Sequence, residues 1–164
     1  MKRFITLLVL LALTAVLIAS NTTYEQQTLI PTLQRLLPNQ PFASFLSQFE
    51  ITYWGRLISV ETSGYYHFVE FLIRKGTHFS GYGLIAVIMY LFYQYLPIRF
   101  KASAAVVTIF VIASLDEFRQ SFIDGRTGTF KDVLIDTAGA ILFVSIAKCL
   151  LWGLRKIKKT SSDI

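Results

Sequence analysis

The sequence predicts an all-α integral membrane protein, a four-transmembrane-helix bundle with an outer interfacial helical segment. Three observations predict it. Hydrophobic residues make up 54% of the 164 positions and are gathered into blocks, with a mean hydropathy of +0.53. Four of these blocks approach the roughly 20 residues that a helix rising about 1.5 Å per residue needs to cross the hydrocarbon core. Lysines and arginines are distributed unequally between the two sides of the membrane that four crossings would define. Residues 1–164 read as a single membrane domain, because nothing between the blocks has the makings of a second core.

The first helix is expected at about 4–20, behind Lys2 and Arg3. A secretory signal shares this basic start and apolar run. Here a bulky Leu17 or Ile18 stands where a cleavage site wants a small residue, which favours an uncleaved helix over cleavage.

The outer segment, residues 21–74, follows. Asn21-Thr22-Thr23 offers a helix start or a turn. Leu29, Ile30, Leu33, Leu36 and Leu37 recur at helical spacing until Pro38, and Pro31 predicts that this helix is short or kinked. Phe42, Phe45, Leu46 and Phe49 repeat the pattern before Tyr53-Trp54 and Gly55. Short aromatic-rich pieces of this kind lie at a membrane interface, as a cap on the bundle or as a ledge for a lipid-linked ligand.

From Tyr65 the chain reads as helix again, leading into or bending before the second span at about 77–96. At about 100° per residue, His67, Glu70, Arg74, His78 and Tyr82 fall within one stripe. Glu70 and Arg74 are also an i,i+4 pair. Lys75 lies beside the stripe, and Gly76 opposite it would admit a close neighbour or a bend.

The third span, about 102–119, ends in Asp116, Glu117, Arg119 and Gln120. Asp116, Arg119 and Gln120 share a face, with Glu117 at its edge. The link at 121–130 holds Asp124, Gly125, Arg126 and Gly128, a turn able to present Arg126 toward the bundle. The fourth span, about 131–152, opens with Asp132 and Asp136, then Gly139 among small residues suited to close helix packing. Asp132 is accounted for by the helix dipole, whereas Asp136 lies a turn deeper and is expected to face the interior.

With the N-terminus inside, the cytoplasmic side carries Lys2, Arg3, Arg99, Lys101, Lys148, Arg155, Lys156, Lys158 and Lys159 against Asp163 alone. The expected location is thus the cell membrane, multi-pass, with both termini cytoplasmic and the polar site facing outside. The net charge of +6 reports this topology and calls for no nucleic-acid partner. The single Cys149 excludes an intrachain disulfide and a cysteine-based metal site. The inner halves of the last three spans are nearly all apolar, which argues against a channel or an ion relay.

Several motifs together resemble the VanZ-like family, small membrane proteins named for a protein associated with teicoplanin resistance. They are Lys75, His78-Phe79 and Tyr82-Gly83-Leu84 in the second span, Asp116-Glu117-Phe118, Gln120 and Phe122 at the end of the third, Gly125-Arg126, and Asp132-Val133, Asp136-Thr137 and Gly139 in the fourth. The resemblance covers about 74–143 and departs at two places. Asp124 stands where the family usually has proline, and Asp136 where asparagine is common. The resemblance implies a cell-envelope role connected with glycopeptide resistance.

Three functions remain open. A binding protein would hold a membrane lipid, lipid-linked cell-wall precursor or glycopeptide, with Arg74, Lys75, Arg119 and Arg126 on phosphate or carboxylate. Its remaining ligand-binding candidates are His67, Glu70, Tyr82, Gln120, Asp132 and Asp136. An enzyme acting on an outer-leaflet substrate would use His78 or His67 as base or nucleophile, Asp116 or Glu117 to orient it or serve as acid, and Arg119 and Arg126 as clamps on developing negative charge. A structural network would simply lock the helices. No cofactor is assigned, and no His/Asp/Glu pair has the spacing of a strong metal motif, so a divalent-metal site is the lesser alternative.

Overall fold

The computed structural model of the chain describes residues 2–123 and 128–162, without the side chains of 157–162. It is mostly α-helical. The elements in order are α1 (Lys2–Ser20), α2 (Tyr24–Gln27), α3 (Ile30–Leu36), α4 (Ala43–Leu46), β1 (Ile51–Tyr53), β2 (Arg56–Ile58), α5 (Val60–Ser63), α6 (Tyr65–Tyr93), α7 (Lys101–Gln120) and α8 (Phe130–Ser162). Among the described residues two helices are long and apolar enough to cross a membrane, Lys2–Ser20 and Phe130–Lys156.

The chain divides into two compact units, residues 1–22 with 78–164, and residues 23–77. In the first unit the core is Tyr82, Ala86, Met89 and Tyr90 from α6, Ala105, Ile109 and Ala113 from α7, and Val133, Ala140 and Val144 from α8. Small residues recur in this core, and they let backbones approach closely. The approach is tightest at Gly139, where a Cβ would collide with the carbonyl oxygen of Phe79. Gly83 faces the Phe143 ring in the same way, 2.8 Å from where its Cβ would stand. These contacts fix the register of α6 on α8 and bring the His78 level of one helix opposite the Asp136 level of the other.

The second unit is built from short pieces around Leu33, Tyr65 and the fully buried Phe68. Thr23 caps α2 in a reciprocal box with Gln26. Pro31 falls in the first turn of α3, where its missing N–H costs nothing, so the helix is short without a kink.

The expectation of a wholly helical chain requires correction at 51–58. There a two-stranded antiparallel hairpin pairs Ile51 with Ile58 and Tyr53 with Arg56. Its two-residue turn places Trp54 at φ 55° and Gly55 at φ 69°, the doubly left-handed geometry favoured in hairpins. The turn is hard to see in the sequence because tryptophan occupies the position where asparagine or aspartate usually signals it. Gly76 also differs from expectation: a Cβ there would meet nothing within 4 Å, and α6 runs through it unbroken.

Candidate functional site

In the second unit, Glu70 is the centre of a fully bonded clasp. Its carboxylate accepts hydrogen bonds from the Tyr24 hydroxyl at 2.7 Å, the Thr28 hydroxyl at 3.0 Å and the Leu29 N–H at 2.6 Å. Arg74, one turn on, lies 3.8 Å from the same carboxylate and stacks over the Tyr24 ring at 4.6 Å. Burial would raise the pKa of Glu70. The three hydrogen bonds and the Arg74 charge override it and hold the carboxyl below its ordinary value. The Tyr24 hydroxyl moves up, first from burial and then from donating to that carboxylate. Among the described residues two buried nitrogens of Arg74 have no hydrogen-bond partner, Nη2 and the Nε that faces Glu70. Lys75 reaches the Tyr53 hydroxyl at 3.2 Å and lies over its ring. His67 is exposed on the same helix.

The first unit holds a different kind of cluster. His78 and Tyr82 stand one turn apart on α6 with their rings stacked. The Tyr82 hydroxyl donates to Asp116 Oδ2 at 2.7 Å, and the Gln120 amide donates to the same oxygen at 2.7 Å. Glu117, the next residue of α7, accepts from the Thr129 N–H at 2.7 Å. Thr129 in turn opens α8: its hydroxyl accepts from the Asp132 N–H at 3.1 Å and donates to the Asp132 carboxylate at 3.2 Å. Gly128 lets this connection press against α7, since a Cβ there would strike the Glu117 carbonyl oxygen. One turn into α8, Asp136 is fully buried and its Oδ1 lies 3.3 Å from His78 Nδ1.

Buried carboxylates cost several kcal/mol each unless their oxygens are bonded. Among the described residues three oxygens in this cluster, Asp116 Oδ1, Glu117 Oε1 and Asp136 Oδ1, have no hydrogen-bond partner.

The helices thus bring His78, Tyr82, Asp116, Glu117, Gln120, Asp132 and Asp136 together. Arg119 lies on the groove-facing side of α7 with Asp116, but it is exposed and bonds the side chain of Asn21, which itself closes the end of α1 by donating to Leu17. Glu117, placed at the edge by spacing, is inside. His78 pairs with Asp136, whereas the enzyme reading of the sequence offered Asp116 or Glu117 to orient it. Arg126 lies outside the described residues, as do Asp124 and Gly125. The sequence alone did not signal Tyr24, Thr28 and Thr129, which position the acids.

Between α1 and α7 runs a groove of about 350 Å³, lined by Leu13, Val16, Leu17 and Ile112, with Asp116 and Arg119 also on its wall. Its volume is that of a small-molecule site.

No curated protein and no solved structure matches the chain. The profile of the VanZ/LLP1 family matches residues 4–152, which includes all three helices that build the cluster. The chain belongs to the VanZ/LLP1 family.

Proposed function

We propose that the protein is a four-span membrane protein of the cell envelope. In this reading it binds a lipid-linked or glycopeptide-type ligand at a polar site on the outer side, in keeping with the antibiotic-resistance role the family name suggests. The spans are α1, the later part of α6, α7 and most of α8, with both termini cytoplasmic. The observation that carries the reading is the buried cluster around His78 and Asp136 with carboxylate oxygens left unbonded.

Two further features support it. Phe4, Leu7, Leu10 and Leu11 on α1, and Leu142, Ile146, Leu150 and Trp152 on α8, are all exposed. An apolar surface of this extent needs lipid as its solvent. The groove between α1 and α7 is apolar along its length and meets the cluster at Asp116, as a site for an amphipathic molecule requires.

A second reading is an enzyme acting on an outer-leaflet lipid-linked substrate. The His78–Asp136 pair favours it, because a carboxylate on one imidazole nitrogen fixes the tautomer and leaves the other nitrogen for a proton. The His78 side chain retains 24% exposure.

The test is mass spectrometry of the lipids and cell-wall intermediates that co-purify with the protein. Wild type should retain an amphipathic species that Asp116→Asn and Arg126→Ala lose while remaining folded. Identical lipid profiles in all three proteins, with no turnover of added substrate, would sink both readings. Topology is checked in a Cys149→Ser background. A membrane-impermeant thiol reagent added to intact cells should label Glu61→Cys and spare Lys156→Cys.

A further inference from the structure

The acidic cluster faces an electrostatic problem as a receptor for anionic headgroups, because its described side chains offer acceptors and negative charge. A cation reverses that sign. We propose that His78, Glu117 and Asp136 form the binding site of one divalent transition-metal ion.

The donor set suits such an ion in kind, charge and distance. One imidazole nitrogen with two carboxylates is a borderline set that favours Mn²⁺, Fe²⁺ or Zn²⁺ over Ca²⁺ or Mg²⁺. Two carboxylates neutralise the double charge, which burial demands. One ligand atom from each residue lies within 4.8 Å of the others. Ligands at about 2.0–2.2 Å stand about 3.4 Å apart on a tetrahedral ion, so a pair at the outer limit of this spread closes by about 1.4 Å when the ion binds. His78 Nδ1 and Asp136 Oδ1 are already 3.3 Å apart, close to the roughly 3.4 Å between neighbouring ligands on a tetrahedral ion.

Two independent features point to a missing partner. Glu117 is 4% exposed and Asp136 fully buried, yet among the described residues neither Oε1 of the one nor Oδ1 of the other has a hydrogen-bond partner, Asp136 Oδ1 standing 3.3 Å from His78 Nδ1. The second Glu117 oxygen is held by the Thr129 N–H, which orients the free one, as outer-shell contacts do in metal sites. The neighbouring Asp116 is likewise anchored through one oxygen by Tyr82 and Gln120 and leaves the other free.

The three ligands come from α6, α7 and α8, so no local spacing announces them, and the sequence alone assigned no metal. Three protein ligands also leave coordination positions open. An anionic group of the ligand proposed above could take one; that consequence rests on the ligand reading, whereas the metal site does not.

The test uses the full-length protein in detergent, stripped with EDTA and titrated with MnCl₂ and ZnCl₂. One ion per chain should bind, and bound Mn²⁺ should show electron-spin coupling to a histidine nitrogen. Asp136→Asn should weaken binding by about 100-fold or more. The chain has two histidines, and the exposed His67 serves as control. His67→Gln should keep the coupling and His78→Gln abolish it. The His67 control decides the matter even if His78→Gln fails to fold. Stoichiometric binding of neither ion, absence of nitrogen coupling, or its loss in His67→Gln would overturn the proposal. Coupling seen without any co-purifying amphipathic ligand would leave the metal site standing and remove the ligand reading alone.

Discussion

Glu70 and Asp136 are both buried acids beside a basic side chain one helix-turn or one helix away, yet their surroundings differ in kind. Glu70 accepts from Tyr24, Thr28 and Leu29 and lies beside Arg74, so its carboxylate is spent on holding the segment that follows α2. Asp136 stands beside His78, and its neighbours Glu117 and Asp116 each keep an oxygen without a hydrogen-bond partner among the described residues. A saturated acid stabilises a fold. In the proposed reading an unsaturated one, buried at a cost of several kcal/mol, is retained for a ligand to bind. Within the Glu70 unit the loose ends are donors, Nε and Nη2 of Arg74, the natural complement of a phosphate or carboxylate.

This contrast can be broken by mutation. The largest effect is expected on ligand retention: His78→Gln and Glu117→Gln should each lower it by about 100-fold, with unchanged yield and melting behaviour. Lipid and metal content of the purified variants supply the measurement. Next comes packing at the α6–α8 crossing that sets the His78–Asp136 distance. Gly139→Ala drives a Cβ into the Phe79 carbonyl and should cost about 3 kcal/mol or more. Gly76→Ala, with open space around it, should be neutral or stabilise by up to about 1 kcal/mol. Unfolding of the detergent-solubilised proteins compares the two.

Glu70→Gln should cost about 1–3 kcal/mol, because a weaker acceptor is left among three donors. The loss should appear as faster amide exchange at Leu29. The same clasp predicts a direction with pH. Its depressed carboxyl contributes stability that is complete above the ordinary carboxylate pKa of about 4.3 and fades as pH falls through the lower folded value. Amide exchange at Leu29, corrected for intrinsic rate, should therefore speed up only in acid. Tyr24→Phe is the mildest change, about 1 kcal/mol, and should reproduce the Glu70→Gln effect at Leu29 in reduced form.

Much of this was legible in the sequence, for reasons that also explain the omissions. α1, α7 and the start of α8 fall within a residue or two of the apolar blocks, because a continuous apolar run specifies a helix whatever surrounds it. The Glu70–Arg74 pair follows from helical spacing alone. The other partners of Glu70 are 41 to 46 residues away, and nothing local encodes them. The hairpin at 51–58 was masked by its Trp-Gly turn. Asp136 was singled out as interior by its depth in the helix. Its pairing with His78 depends on the glycine contact between Gly139 and Phe79, which only the packed helices reveal.

The most direct test of the difference between the two acids is the unfolding midpoint of Asp136→Asn beside that of Glu70→Gln, both metal-free in EDTA, in the same detergent at neutral pH. The account predicts that Asp136→Asn unfolds at or above the wild-type midpoint, since an amide can keep the His78 hydrogen bond and a buried charge is removed, while Glu70→Gln unfolds below it. An Asp136→Asn protein destabilised as much as Glu70→Gln would show both acids to be structural and would contradict the account.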